Sequence, residues 1–293
     1  MIVAAQRTNY SGTFVYKYDN QIETTRITHV WDHDGEHGRL EGMDAIRQKI
    51  IQHSHQRLNL PGTGQTSMHT RASHQSFPSF LPDQLSLLSK NYRLVSAEEA
   101  RVAGITAQAF ILRPRDNLRY TQKIWAHTDS GLPVKAAVLD DRSQVVEQYY
   151  FTHLEIGGQI DRKWISRNKS SSGYHSYHPV PGSVPENSGS VHGASGWHAG
   201  YLPPGFEKTV EIQRKMREEQ ASATQLVYSE GLAGISIFIE DTSGGKVQQE
   251  GLTSRGAINI YRKKNGNNWI TVVGEAPPRT VMQIAGAVRY QAQ

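Results

Sequence analysis

Residues 104 to 133 read GITAQAFILRPRDNLRYTQKIWAHTDSGLP, and this stretch decides the fold. Ile105, Ala107, Ala109 and Ile111 alternate with Thr106, Gln108, Phe110 and Leu112. That two-residue period is a β-strand, with apolar side chains on both faces toward its end. Pro114, Asp116 and Asn117 form a turn cluster, because proline fixes φ while Asp and Asn side chains bond nearby backbone amides. A second strand runs from Leu118 to His127, closed by Asp129-Ser130-Gly131 and Pro133. The unit is a β-hairpin rich in turn chemistry and poor in reactive side chains, which points to a scaffold that binds something.

Strands surround it. Residues 13–18 and 23–31 predict a pair joined by Asp19-Asn20-Gln21. Residues 32–38 predict a polar loop, and 39–52 fit helix or strand, with Leu40, Met43, Ile46 and Ile50 at helical spacing. Residues 82–90 predict a short helix, with Asp83 in its favourable first turn. Residues 134–140 and 145–156 predict two further strands. From 166 to 196, 17 of 31 residues are Ser, Gly or Pro, too few apolar groups to offset the entropy of ordering the segment. This places a linker at 166–196 between a domain at 1–165 and a smaller one at 197–293. In the latter, residues 206–214, 224–229, 235–241, 256–262 and 269–273 predict five strands, with 235–241 buried largely on one face. Pro277-Pro278 opens a helix whose Val281, Ile284, Ala285 and Val288 share one face. The fold class is therefore α+β, mainly antiparallel.

At 293 residues the chain can bury two cores, and no apolar run is long enough for a membrane-spanning helix. It contains no cysteine, which excludes disulfides, thiolate metal ligands and cysteine nucleophiles. A net charge of +5 is spread over both halves, unlike a nucleic-acid-binding arm, and implies mild attraction to acidic partners or anionic headgroups.

Catalytic constellations are not signalled. His53 and His55 share a face if their segment is a strand, and His33 and His37 lie four apart, but no third converging ligand follows. Gly193-Ala194-Ser195-Gly196 lacks nucleophile-elbow spacing, and Gly62-Thr63-Gly64 lacks the rest of a phosphate loop. Glu98-Glu99 and Glu218-Glu219 are adjacent and so are not poised across a cleft. The expectation is a protein without enzymatic activity, metal or cofactor.

Aromatic residues carry a subtler signal. Phe14, Tyr16 and Tyr18 alternate onto one strand face, while Trp31, Trp125, Tyr149 and Phe151 fall on other strands. These side chains serve ordinary core packing or line a concave apolar pocket in a curved, incompletely closed sheet. Arg262-Lys263-Lys264, beside Asn265-Gly266, reads as a solvated hairpin tip or as an electrostatic contact for an acidic partner segment.

Several stretches in order resemble the MucB/RseB family of periplasmic regulators. They are Tyr10-Ser11-Gly12-Thr13-Phe14-Val15-Tyr16, Arg119-Tyr120, Gly131-Leu132-Pro133-Val134-Lys135, Leu202-Pro203-Pro204-Gly205-Phe206, Val227-Tyr228-Ser229-Glu230-Gly231-Leu232 and Thr271-Val272-Val273-Gly274-Glu275. The resemblance implies a half-open antiparallel β-barrel with short helices, like the lipoprotein carriers LolA and LolB, followed by a smaller antiparallel sheet with a helix. It implies a short helix leading into Tyr10. It also implies a periplasmic protein whose signal peptide is missing from this chain, since residues 2–5 are too short an apolar core. Its partner would be the periplasmic segment of a membrane anti-sigma factor of the MucA/RseA type, protected from proteolysis until a lipid, lipoprotein or lipopolysaccharide signal releases it. On this reading Phe14, Tyr16, Tyr18, Trp31, Phe110, Leu112, Ile124, Trp125, Tyr149 and Phe151 wall a cavity for acyl chains. Arg262, Lys263 and Lys264 meet the partner, and homo-oligomerisation stays open. A plain lipoprotein carrier is the alternative, against which residues 197–293 count.

Overall fold

A computed structural model describes residues 1–33, 35–43, 57–58, 68–69, 77–82, 85–162, 190–191, 195–215, 222–242 and 249–291. Helix α1 (Ile2–Arg7) leads into β1 (Tyr10–Tyr18), followed by β2 (Gln21–Asp32) and β3 (Gly35–Gly42). A two-residue pair, β4 (Arg57–Leu58) and β5 (Met68–His69), precedes α2 (Leu85–Asn91). Then come β6 (Tyr92–Val102), β7 (Ile105–Pro114), β8 (Thr121–His127), β9 (Pro133–Leu139) and β10 (Val145–Ile156). Eight of these strands form one antiparallel sheet in the order β3-β2-β1-β10-β9-β8-β7-β6. Strands β1 and β10, the first and last of this sheet along the chain, pair with Phe14 opposite Phe151 and Tyr16 opposite Tyr149, while β3 and β6 remain edges. The barrel is half-open, as expected.

The second half contains β11 (Ser190–Val191), β13 (Glu207–Lys215), β14 (Ser222–Ser229), β15 (Gly234–Asp241), β16 (Gly251–Arg255), β17 (Ile258–Asn265) and β18 (Asn268–Gly274). These form a second sheet in the order β11-β13-β14-β15-β18-β17-β16. Helix α3 (Pro278–Gly286) starts on its proline, and β12 (Trp197–Ala199) pairs with β19 (Val288–Tyr290). Val281, Ile284, Ala285 and Val288 pack with Leu226, Ile235, Ile237, Ile270 and Val272. Each fully buried aliphatic side chain stabilises the fold by about 1.5–3 kcal/mol.

Three expectations change. The polar loop at 32–38 is largely strand: Asp32 pairs with Gly35, and β3 lies at an edge. Strand β6 goes unsignalled because an edge strand has little apolar alternation, and most of its side chains are exposed. Strand β15 is buried on both faces, its second face being Phe238 against Ile258 and Val273. Residues 44–52 and 166–189 lie outside the described residues, as do His53, His55, Gly62 and Gly64.

Candidate binding site

The aromatic face is built by register. Side chains directly opposite one another in a sheet share a face. Tyr16 pairs with Tyr149, Tyr149 with Ala136, Ala136 with Ile124, and Ile124 with Phe110. Phe14 and Phe151 form the next pair on that face, and Leu112 lies two residues beyond Phe110. Phe77, from outside the strands and helices, caps the row. Its ring centroid is 5.2 Å from Phe14, 5.2 Å from Phe151 and 5.6 Å from Tyr149. Tyr149 stacks on Tyr16 at 4.3 Å, and Tyr16 lies 4.7 Å from Tyr18. Ile124 and Leu112 pack with Leu81, Leu88 and Tyr92 in a neighbouring cluster.

Two of the ten expected wall residues do not share this face in the register, although Trp125 belongs to the same buried cluster as Phe14, Phe77 and Phe151. Trp125 follows Ile124 and so takes the opposite face, opposite Ala109 and Lys135. Lys123 Nζ and Lys135 Nζ lie 4.8 and 4.6 Å from its ring centroid. Burial, then the charge of Lys123, lowers the pKa of Lys135. Trp31 is exposed near the end of β2, with the Arg7 guanidinium 5.6 Å from its ring. Arg262, Lys263 and Lys264 lie within β17 leading to its turn, and Arg262 Nε donates to Thr271 Oγ1 at 3.1 Å.

The hydroxyl ends of the tyrosine row meet the second sheet, which sequence reasoning missed. Tyr16 donates to Glu147 Oε2 at 2.7 Å, and the Ala257 amide donates to the same oxygen at 3.0 Å. Burial above all, then Tyr149 and Glu147, holds the Tyr16 hydroxyl protonated, its pKa far above the phenol range. Arg255 Nη2 donates to Tyr18 at 2.5 Å and to Glu23 at 3.2 Å, with its guanidinium 4.8 Å from the Tyr18 ring centre. Between them Gly256 has φ +56°, and a Cβ there would come within 2.6 Å of Glu147 Oε2. Asn259 Nδ2 donates to Tyr120 at 2.9 Å.

A second contact centres on Arg119. It donates to Asp116 and to the Pro204 carbonyl, and its guanidinium lies 5.5 Å from the Phe206 ring centroid. Tyr92 donates to Glu230 Oε1 at 2.9 Å. Burial pushes Glu230 up to about 7, against the pull of Tyr92 and Arg119. Leu232 packs on the Leu81 cluster, and Thr280 Oγ1 donates to the Leu118 carbonyl at 3.0 Å. The available signals were Arg119 next to Tyr120 and a lone Glu230 after Val227-Tyr228-Ser229, both within the stretches that carry the resemblance.

Among the described residues no three His, Asp or Glu side chains converge as a metal site would require. His37 instead lies 3.3 Å from Asp32. This arrangement offers apolar contact area and an interface between two sheets, chemistry suited to binding.

Comparison with known proteins identifies the group. The model described as the MucB/RseB N-terminal domain matches residues 1–168, and the MucB/RseB C-terminal domain matches residues 191–289. The chain is 28% identical to the sigma factor AlgU regulatory protein MucB of Pseudomonas aeruginosa, covering 99% of this chain and 88% of that protein. It is 24% identical to the sigma-E factor regulatory protein RseB of Escherichia coli, over 100% of this chain and 89% of that protein. The crystal structure of MucB superposes with a TM-score of 0.63 at 26% identity, covering 99% and 95% of the two chains. MucB in complex with MucA(peri) gives 0.71 at 24% identity, covering 99% and 96%. The chain belongs to the MucB/RseB family.

Proposed function

We propose that this chain is a periplasmic regulator in a sigma factor pathway. It binds the periplasmic segment of a membrane-anchored anti-sigma factor, shields it from proteolysis and lets it go when a lipidic ligand occupies the first domain. The observation that carries the partner is the relative solved with MucA(peri), which aligns over nearly the whole chain. Supporting the ligand is a row of aromatic rings on one sheet face, adjacent to a second apolar cluster. Release needs only that the ligand bind the partner-free state better than the partner-bound one. The working units are 1–165 for the ligand, 166–196 as linker and 197–293 for the partner, with Arg262, Lys263 and Lys264 meeting acidic side chains. Binding, not catalysis, is the activity. The second sheet, docked through Arg119, Arg255 and Asn259, is more than a plain lipoprotein carrier needs.

A protection assay tests this reading. The purified anti-sigma segment is incubated with a protease that cuts it, with and without the full chain. Protection that saturates with added chain is expected; equal cleavage rates in both reactions overturn the proposal.

A further inference from the structure

We propose that the stack Phe77–Tyr149–Tyr16–Tyr18 is the link through which a change at the aromatic face reaches the 255–257 turn of the second domain, and so sets how firmly the two domains dock. Its regulatory meaning rests on the ligand reading above; its mechanics do not. The rings form an unbroken series: Phe77 lies parallel to Tyr149 within 16°, Tyr149 to Tyr16 within 10°, and Tyr16 leans on Tyr18 at 30°. The series ends on the Arg255 guanidinium, and its hydroxyls hold the turn through Glu147, Glu23 and Arg255.

The two ends differ in what can move. Phe14, Phe77 and Phe151 are closely packed, so an acyl chain entering among them must displace a ring. Phe14 and Phe151 are fixed by the β1–β10 ladder, whereas Phe77 belongs to no strand or helix. At the other end there is no slack. A Cβ on Gly256 would lie 2.6 Å from Glu147 Oε2 and 3.1 Å from the Tyr18 Cβ, so glycine lets the turn sit directly against both. The Tyr16–Glu147 bond of 2.7 Å is lost with a ring shift on the order of 1 Å. The carboxylate that accepts the Ala257 amide then loses its bond to Tyr16.

Hydrogen exchange of the Ala257 amide in the full chain reads the link. Phe77→Leu changes the far end, Tyr16→Phe removes only the hydroxyl, which meets Glu147 and Tyr149, and Leu132→Val is a buried control off the stack. Each of the first two is expected to speed exchange roughly tenfold, the worth of one aromatic contact or hydrogen bond. The control stays within about twofold, and the double variant exceeds neither single one, because both break one chain of contacts. No effect of Phe77→Leu beyond the control overturns the link. If Phe77→Leu does not fold, Tyr16→Phe decides alone: unchanged exchange overturns the link, and faster exchange supports it. A separate arm adds a lysophospholipid with a 14-carbon chain, its binding read by tyrosine fluorescence. Bound probe with faster exchange supports the link, and bound probe with unchanged exchange overturns it. A probe that does not bind counts against the ligand reading, while the variants still decide the link.

Discussion

Arg119 Nε and Glu230 Oε2 stand 3.8 Å apart across the domain boundary, their side chains 1% and 0% exposed. Neither atom has a hydrogen-bond partner among the described residues. The two charges attract without a closed bond, held by Tyr92 on one side and by Asp116 and Pro204 on the other. Such a pair costs desolvation on both sides, so it adds little net stability while making each member dependent on the other.

Removing one member is therefore expected to be severe. Arg119→Met leaves Glu230 buried without a counter-charge and is expected to destabilise the docked fold by about 3–5 kcal/mol, measured by urea denaturation. Adding Glu230→Gln to it is expected to recover part of that loss, which a contact-by-contact sum would not give.

Glu230 also gives a pH dependence of defined sign. Its pKa rises from 4.5 to about 7 in the folded chain. The folded state therefore holds this proton more tightly than the unfolded chain does. The associated stability is fully present below pH 4.5 and is lost as pH rises toward 7. That loss amounts to about 3 kcal/mol at most. Glu230→Gln is expected to remove the slope between these limits, so the difference in urea midpoint between variant and parent should grow from pH 5 to pH 8. A constant difference would show that Glu230 titrates as an ordinary carboxylate.

Gly256→Ala places a Cβ against Glu147 and Tyr18 and forces alanine into the left-handed region. The backbone term alone costs about 1–2 kcal/mol. Small-angle scattering is expected to show a larger radius of gyration for this variant than for the parent, because the clash falls on the domain contact.

Phe151→Ala empties the centre of the aromatic face. Phe151 is 1% exposed and contacts Tyr10, Phe14 and Phe77, so a loss of about 3–5 kcal/mol in thermal or urea unfolding is expected. If the face takes acyl chains, the cavity admits a longer or bulkier chain than the parent does, read as a shift in preferred chain length.

Sequence made the hairpin at 105–127 plain because its alternation, turn residues and closing glycine agree. Edge strands β3 and β6 were opaque for a physical reason: β3 carries one apolar side chain, Leu40, and most β6 side chains face solvent, so no apolar period marks either. The aromatic row was half legible. Alternation put Phe14, Tyr16 and Tyr18 on one face, and the same rule separates Trp125 from its neighbour Ile124. What could not be read was the docking of the domains. Arg119 meets Glu230, and Tyr18 meets Arg255, over separations of more than 100 residues, and such pairings follow from tertiary geometry alone.

Calorimetric titration of a MucA-type periplasmic segment into the full chain, alone and with saturating acylated lipid, tests the central claim most directly. The account predicts saturable binding that lipid weakens by at least about tenfold, equivalent to 1.4 kcal/mol of coupling. An affinity unchanged by bound lipid, or no binding in either condition, would contradict it.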